Sequence, residues 1–174
     1  FVFNNALLKR LTEKDLDQIK IQVFKDGESI YEKSFSIEVL PMDYFGGLQS
    51  YPQLLASYVL SNNTSLYKIK ADAIDILARN KLTPSFEGYQ QKSKERVLQM
   101  VSAIYKSIQN LELIYSAMPP SFEKNGQRIR LVDTVLETKF GNCIDISLLF
   151  AACLEAIDLN PLIVVTEGHA FVGV

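Results

Sequence analysis

Apolar and polar residues alternate strictly in the first part of the chain. Ile19, Ile21 and Val23 interleave with Lys20 and Gln22, the period of two that predicts a strand over residues 19–25. Asp26-Gly27 follows, the strongest short hairpin signal, because a type I′ turn needs positive φ at both central positions. A return strand with Ile30, Phe35, Ile37 and Val39 then runs until Pro41 stops it.

Beyond Pro41 the period lengthens. Gly46-Gly47 marks a loop, and Tyr51-Pro52 predicts a helix start with Leu54, Leu55, Tyr58 and Val59 on its apolar side. A second helix begins near 61–64 and places Leu66, Ile69, Ala73, Ile76 and Leu77 on one face. The Pro84-containing stretch 81–88 reads as a linker. A longer helix over about 89–110 follows, with Val97, Val101, Ile104, Tyr105 and Ile108 as its stripe and Lys92, Lys94, Glu95, Lys106 and Gln109 opposite. That stripe reads as a face packed on the protein's own core. Residues 111–115 read as extended, Pro119-Pro120 as a stop, Asn125-Gly126 as a turn and 131–138 as a short helix.

Gly141-Asn142-Cys143 opens an apolar helix with Ile146, Leu149, Phe150, Cys153, Leu154 and Ile157, stopped before Pro161. Residues 162–166 read as a buried strand, Glu167-Gly168 as a break, and 169–174 as a second strand. The predicted class is α+β: a hairpin segment over 1–47, then a core over 48–174 in which this helix packs on an antiparallel sheet.

Composition narrows the function. The 174 residues carry a net charge of −2, which excludes a dominant phosphate-binding surface, and interleaved acids give the lysines of the long helix the reading of a solvated face. Direct nucleic-acid contact is therefore not expected. Two cysteines and one histidine make neither a disulfide framework nor a usual zinc site, so no metal or cofactor is expected. No apolar run reaches a membrane span of about 20 residues. A chain starting at Phe1, without Met or a signal-like stretch, reads as a segment of a longer protein. Free thiols without a framework favour a reducing, cytoplasmic setting.

The scarce residues fall at telling places. Cys143 sits where unpaired helix amides and the dipole favour a thiolate, and where the same amides can serve an oxyanion. Small Gly141 beside it leaves room for a substrate backbone. His169 follows one helix and one strand later, next to Gly168, where a helix packed on a hairpin brings a base to the thiol. Cys153, inside the helix among apolar residues, reads as a buried inert thiol. Singly, a cysteine or a histidine has a plain structural reading; the pairing at these positions favours a site. Asp145, in the helix's first turn, reads as a partner of local amides or the dipole.

Gly141-Asn142-Cys143, the helix 148–157, Asn160-Pro161 and Gly168-His169-Ala170-Phe171 together resemble the transglutaminase-like superfamily, a papain-like cysteine fold. The resemblance covers about residues 128–174 and is closest to the bacterial branch with Gly-x-Cys-x-Asp and Gly-His-Ala-Phe, found in helicase-fused or large multidomain proteins. It implies Cys143 as nucleophile and His169 as base in acyl transfer on amide bonds of a protein or peptide, as a protease, amidase or transglutaminase. Two departures stand out. Asp158 occupies a turn position where the family usually has glycine, and no acid follows His169, so the third member of the triad is expected beyond Val174. The alternative is a non-catalytic binding or scaffolding module of a larger bacterial protein.

Overall fold

The computed structural model describes residues 10–49, 51–117 and 126–174, and the fold is α+β. Pro119-Pro120 and the segment from Ser121 to Asn125 in the predicted turn lie outside the described residues. The chain divides into two compact units, Phe1–Tyr44 and Phe45–Val174, where the sequence places a boundary after Gly47.

The first unit is built on an antiparallel hairpin, β1 (Asp15–Lys25) and β2 (Glu28–Val39). Asp26 and Gly27 have φ of 52° and 87°, so both adopt the left-handed backbone that the type I′ turn demands. The register shifts between Val23 and Phe24, where Val23 faces Tyr31 and Phe24 faces Ser29, leaving Ile30 as the bulged residue. One face of the ribbon carries Ile19, Ile21, Val23, Tyr31 and Phe35. The other carries Lys20, Gln22 and Glu32, with Lys20 Nζ 2.8 Å from Glu32 and Gln22 donating to it at 2.7 Å. A short strand, β3 (Tyr44–Phe45), follows.

The second unit is mainly helical. Pro52–Tyr58 forms a 3₁₀ helix rather than the expected α-helix, and only Leu55 of it is buried. Helix α1 (Leu66–Arg79) buries Leu66, Ile69, Ala73 and Leu77. Helix α2 (Lys94–Gln109) starts later than the pattern predicts, because Lys92 takes a left-handed φ of 51° and Ser93 caps the helix by accepting from the Arg96 amide. Its buried face is also rotated. Arg96, Met100, Ala103, Ile104, Ser107 and Ile108 point inward, while Val97 and Val101 lie at the margin and Tyr105 is exposed.

Arg96 explains the rotation. Its guanidinium, 5% exposed, donates to Glu87 at 2.6 Å and to the carbonyls of Thr83 and Ser85. A fully paired guanidinium can occupy a core position that pattern reading reserves for an apolar side chain. Strand β4 (Ile114–Tyr115), strand β5 (Gln127–Arg128), helix α3 (Val132–Thr138) and strand β6 (Phe140–Gly141) lead to helix α4 (Cys143–Glu155). After it, β7 (Leu162–Thr166) and β8 (His169–Gly173) form an antiparallel hairpin.

Helix α4 is the pillar of this unit, buried on nearly every side. Leu149, Ala152, Cys153 and Leu154 pack with α1 and α2, whereas Cys143, Ile144 and Leu148 pack with Phe45, Leu55, Ile129 and Ala170. Burying a leucine such as Leu149 contributes about 1.5–3 kcal/mol, so α4 couples the two clusters strongly.

Candidate active site

The start of α4 is set by a reciprocal cap. Asn142 Oδ1 accepts from the amides of Ile144 and Asp145, both at 3.1 Å, and Asp145 Oδ2 accepts from the Asn142 amide at 3.0 Å. Asp145 is also reached by the Arg130 amide at 2.8 Å and the Arg130 guanidinium at 2.9 Å. A fully buried carboxylate thus takes three donors in addition to its helix position, as burial of a charge requires. The expectation that Asp145 serves local amides agrees with this geometry, and the Arg130 partnership adds to it.

Two other expectations are corrected. The amides of Ile144 and Asp145 are engaged by Asn142 and are not available to an oxyanion, which leaves the amide of Cys143 itself as the helix donor there. Gly141 is small for an internal reason: a Cβ would lie 3.2 Å from Asp145 Cβ and 3.3 Å from Ile146 Cγ1. The glycine lets the incoming strand pass against the first turn of α4.

Cys143 is 8% exposed, at the edge of the smaller cluster. Beside it stands Tyr115, whose strand runs parallel to β6 with Tyr115 opposite Gly141. The Ile114 amide donates to Lys139 O at 2.7 Å and the Ser116 amide to Gly141 O at 2.8 Å, which anchors the tyrosine on both sides. Its hydroxyl lies close enough to the Cys143 thiol to feel it. Loss of solvent around the hydroxyl, then the proximity of Cys143, hold the phenol above its ordinary pKa, so it stays protonated and able to donate.

The other wall is the start of β8. One turn along α4 from Cys143, Ser147 Oγ donates to Ala170 O at 3.1 Å, and Ala170 is buried against Cys143's cluster. His169 immediately precedes Ala170 and pairs with Thr166 across the two-residue turn Glu167-Gly168. Glu167 therefore lies in the turn and not on His169's strand. The His169 side chain is exposed, on the strand face opposite Ala170, and among the described residues its imidazole makes no hydrogen bond. The backbone brings the start of β8 to the Cys143 end of α4, whereas the polar side chain beside the thiol is that of Tyr115.

Compared with protein-family models, with curated proteins and with solved structures, the chain gives no match. The chemistry of the site rests on its own residues. Among the described residues no group of three His, Cys, Asp or Glu side chains is placed to hold a metal ion, and no helix is long and apolar enough to cross a membrane.

Cys153 contrasts with Cys143. It is fully buried, and burial pushes its thiol up to about 12, so a thiolate does not form there near neutrality. Sequence reading found both cysteines and His169 but passed over Tyr115, Arg130 and Ser147. Asn142-x-x-Asp145 carries a readable capping signal, whereas Tyr115 reaches the site only through a long-range parallel strand pair.

Proposed function

We propose that Cys143 and His169 form a thiol–imidazole pair for acyl transfer on amide bonds of a peptide or protein, in a transglutaminase-like core. The observation that carries this reading is the Ser147–Ala170 hydrogen bond, which ties the residue after His169 to α4 one turn from Cys143. In the proposed reaction the Cys143 thiolate attacks the amide carbonyl and forms the tetrahedral intermediate. The Cys143 amide and the Tyr115 hydroxyl donate to its oxyanion, and His169 protonates the departing amine to leave a thioester. Water or a second amine then resolves the thioester and regenerates the thiol.

His169 is exposed on the strand face opposite Ala170, so the proposal requires the first residues of β8 to reorient and bring the imidazole toward Sγ when substrate binds. Catalytic hydrogen bonds are often long or absent before substrate binds, which makes this movement part of the proposal. A binding module is the second reading, favoured by the same exposed imidazole, which faces away from the thiol's cluster.

Alkylation by iodoacetamide at about pH 6.5 separates the two. The acyl-transfer reading expects Cys143 to be modified at least about a hundredfold faster than Cys153, with His169→Ala slowing it about tenfold or more. Equal, slow modification of both thiols, unaffected by His169→Ala, overturns it.

A further inference from the structure

The polar side of α2 carries an ordered pattern that neither the core nor the Cys143 site uses. Glu95, Gln99, Ser102 and Lys106 follow one another at steps of four, three and four residues, so they form one seam along the helix. All four line a groove of about 440 Å³ between α1 and α2, whose far wall includes the half-buried Ile76 and Leu82. Leu98 stands beside the seam, 64% exposed, and on the other flank lies Ala103, small and buried. The Glu95 carboxylate has no partner among the described residues, and Lys106 Nζ reaches only the Gln109 side chain, at 3.4 Å.

The seam is complementary to itself when turned end for end. About a two-fold axis between Met100 and Val101, Glu95 meets Lys106, Gln99 meets Ser102 and Leu98 meets Ala103, and each pairing occurs twice. The charges are opposite, amide and hydroxyl can hydrogen-bond, and a large apolar side chain meets a small one beside the wall of Ile76 and Leu82. We propose that α2 is an isologous interface: a second copy of the chain packs its own α2 antiparallel on this seam, and Leu98 of each copy enters the groove of the other. Parallel pairing in register sets Glu95 against Glu95 and Lys106 against Lys106, so charge selects the antiparallel arrangement. The centre of the seam is polar and Leu98 is its main apolar group, which makes the dimer a reversible one. Every residue invoked lies between Ile76 and Lys106, so the assignment is independent of the Cys143 chemistry.

The test is sedimentation equilibrium of the full chain from about 10 µM to about 1 mM, where a monomer–dimer equilibrium is expected. Glu95→Lys creates two like-charge pairs across the axis and is expected to weaken dimerisation about tenfold or more, and Lys106→Glu does the same. The double variant E95K/K106E restores opposite charges and is expected to return the dissociation constant to within about threefold of the parent value. Leu98→Glu, at an exposed position, is expected to leave only monomer over that range while the circular dichroism spectrum stays unchanged. Three results overturn the proposal: a monomer at every concentration, a double variant no tighter than the single ones, or a dimer indifferent to Leu98→Glu and to the charge reversals.

Discussion

The two ends of helix α4 each hold a cysteine, and they treat it in opposite ways. Toward the C-terminal end, Cys153 is enclosed by the apolar side chains that join α4 to α1 and α2, and its thiol is pushed up to about 12. At the N-terminal end, Cys143 is set among directed polar groups: the Asn142–Asp145 cap, the Arg130 ion pair and the Tyr115 hydroxyl. One helix thus supplies an inert thiol and an addressable one. The difference comes from what fills the space around each sulfur, because the helix itself is equally buried at both ends.

The strongest way to break this contrast is to remove the carboxylate that organises the N-terminal end. Asp145→Ala strands the Arg130 guanidinium and two backbone amides, and a cost of about 3–5 kcal/mol is expected in urea unfolding. Asp145→Asn keeps the shape and is expected to cost about half as much. Equal stability of both variants with the parent chain would show that the cap is ornamental.

At the other end of α4, Arg96 and Glu87 hold the segment before Gly88, whose backbone rests against Asp158 just past the helix. Arg96 holds the Glu87 carboxyl below its usual range, with Ser85 adding to the effect. A depressed carboxylate contributes stability that is complete above the unfolded pKa, about 4.3, and is lost as pH falls through the lower folded value. Glu87→Gln is expected to lower stability by about 2–3 kcal/mol at neutral pH and to flatten the acid limb of the pH–stability curve. An unchanged acid limb would remove Glu87 from the account.

The cysteines give a smaller and more direct comparison. Cys153→Ser places a hydroxyl in an apolar pocket and is expected to cost about 1–3 kcal/mol. Cys143→Ser, with Tyr115 beside it to accept or donate, is expected to cost less than about 1 kcal/mol. Thermal unfolding of the two variants in parallel measures the difference.

How much of this was legible depends on the range of the forces involved. The Asp26-Gly27 turn and the opening of α4 at Asn142-Cys143 are local, set by φ preferences and by a cap within four residues, and both are readable along the chain. The inward face of α2 was misplaced because a charged Arg96 is read as solvent-facing unless its partners, Glu87 and two carbonyls in the preceding linker, are known. Tyr115 was invisible for a related reason: it meets Cys143 through a pairing of β4 with β6 that no local periodicity encodes. His169 was placed on the right strand, but a period of two cannot say which of the strand's two faces packs against α4, and it is Ala170's face that does.

The smallest expected effect concerns the residue that ends α4. Asp158 has a φ of 60°, in the left-handed region, with its amide donating to Glu155 O at 3.0 Å and the next amide reaching Leu154 O at 3.1 Å. These bonds satisfy carbonyls that the helix end leaves open, so the conformation is fixed by the turn and not by the side chain. An aspartate there carries a Cβ penalty of about 1 kcal/mol that glycine lacks, partly offset by glycine's greater freedom when unfolded. Asp158→Gly is therefore expected to stabilise the chain by about 0.5 kcal/mol. Because the change lies at the far end of α4, it should leave the alkylation rate of Cys143 untouched. If that rate moves with Asp158→Gly, the two ends of the helix are coupled, and the separation of an inert end from an addressable one is incomplete.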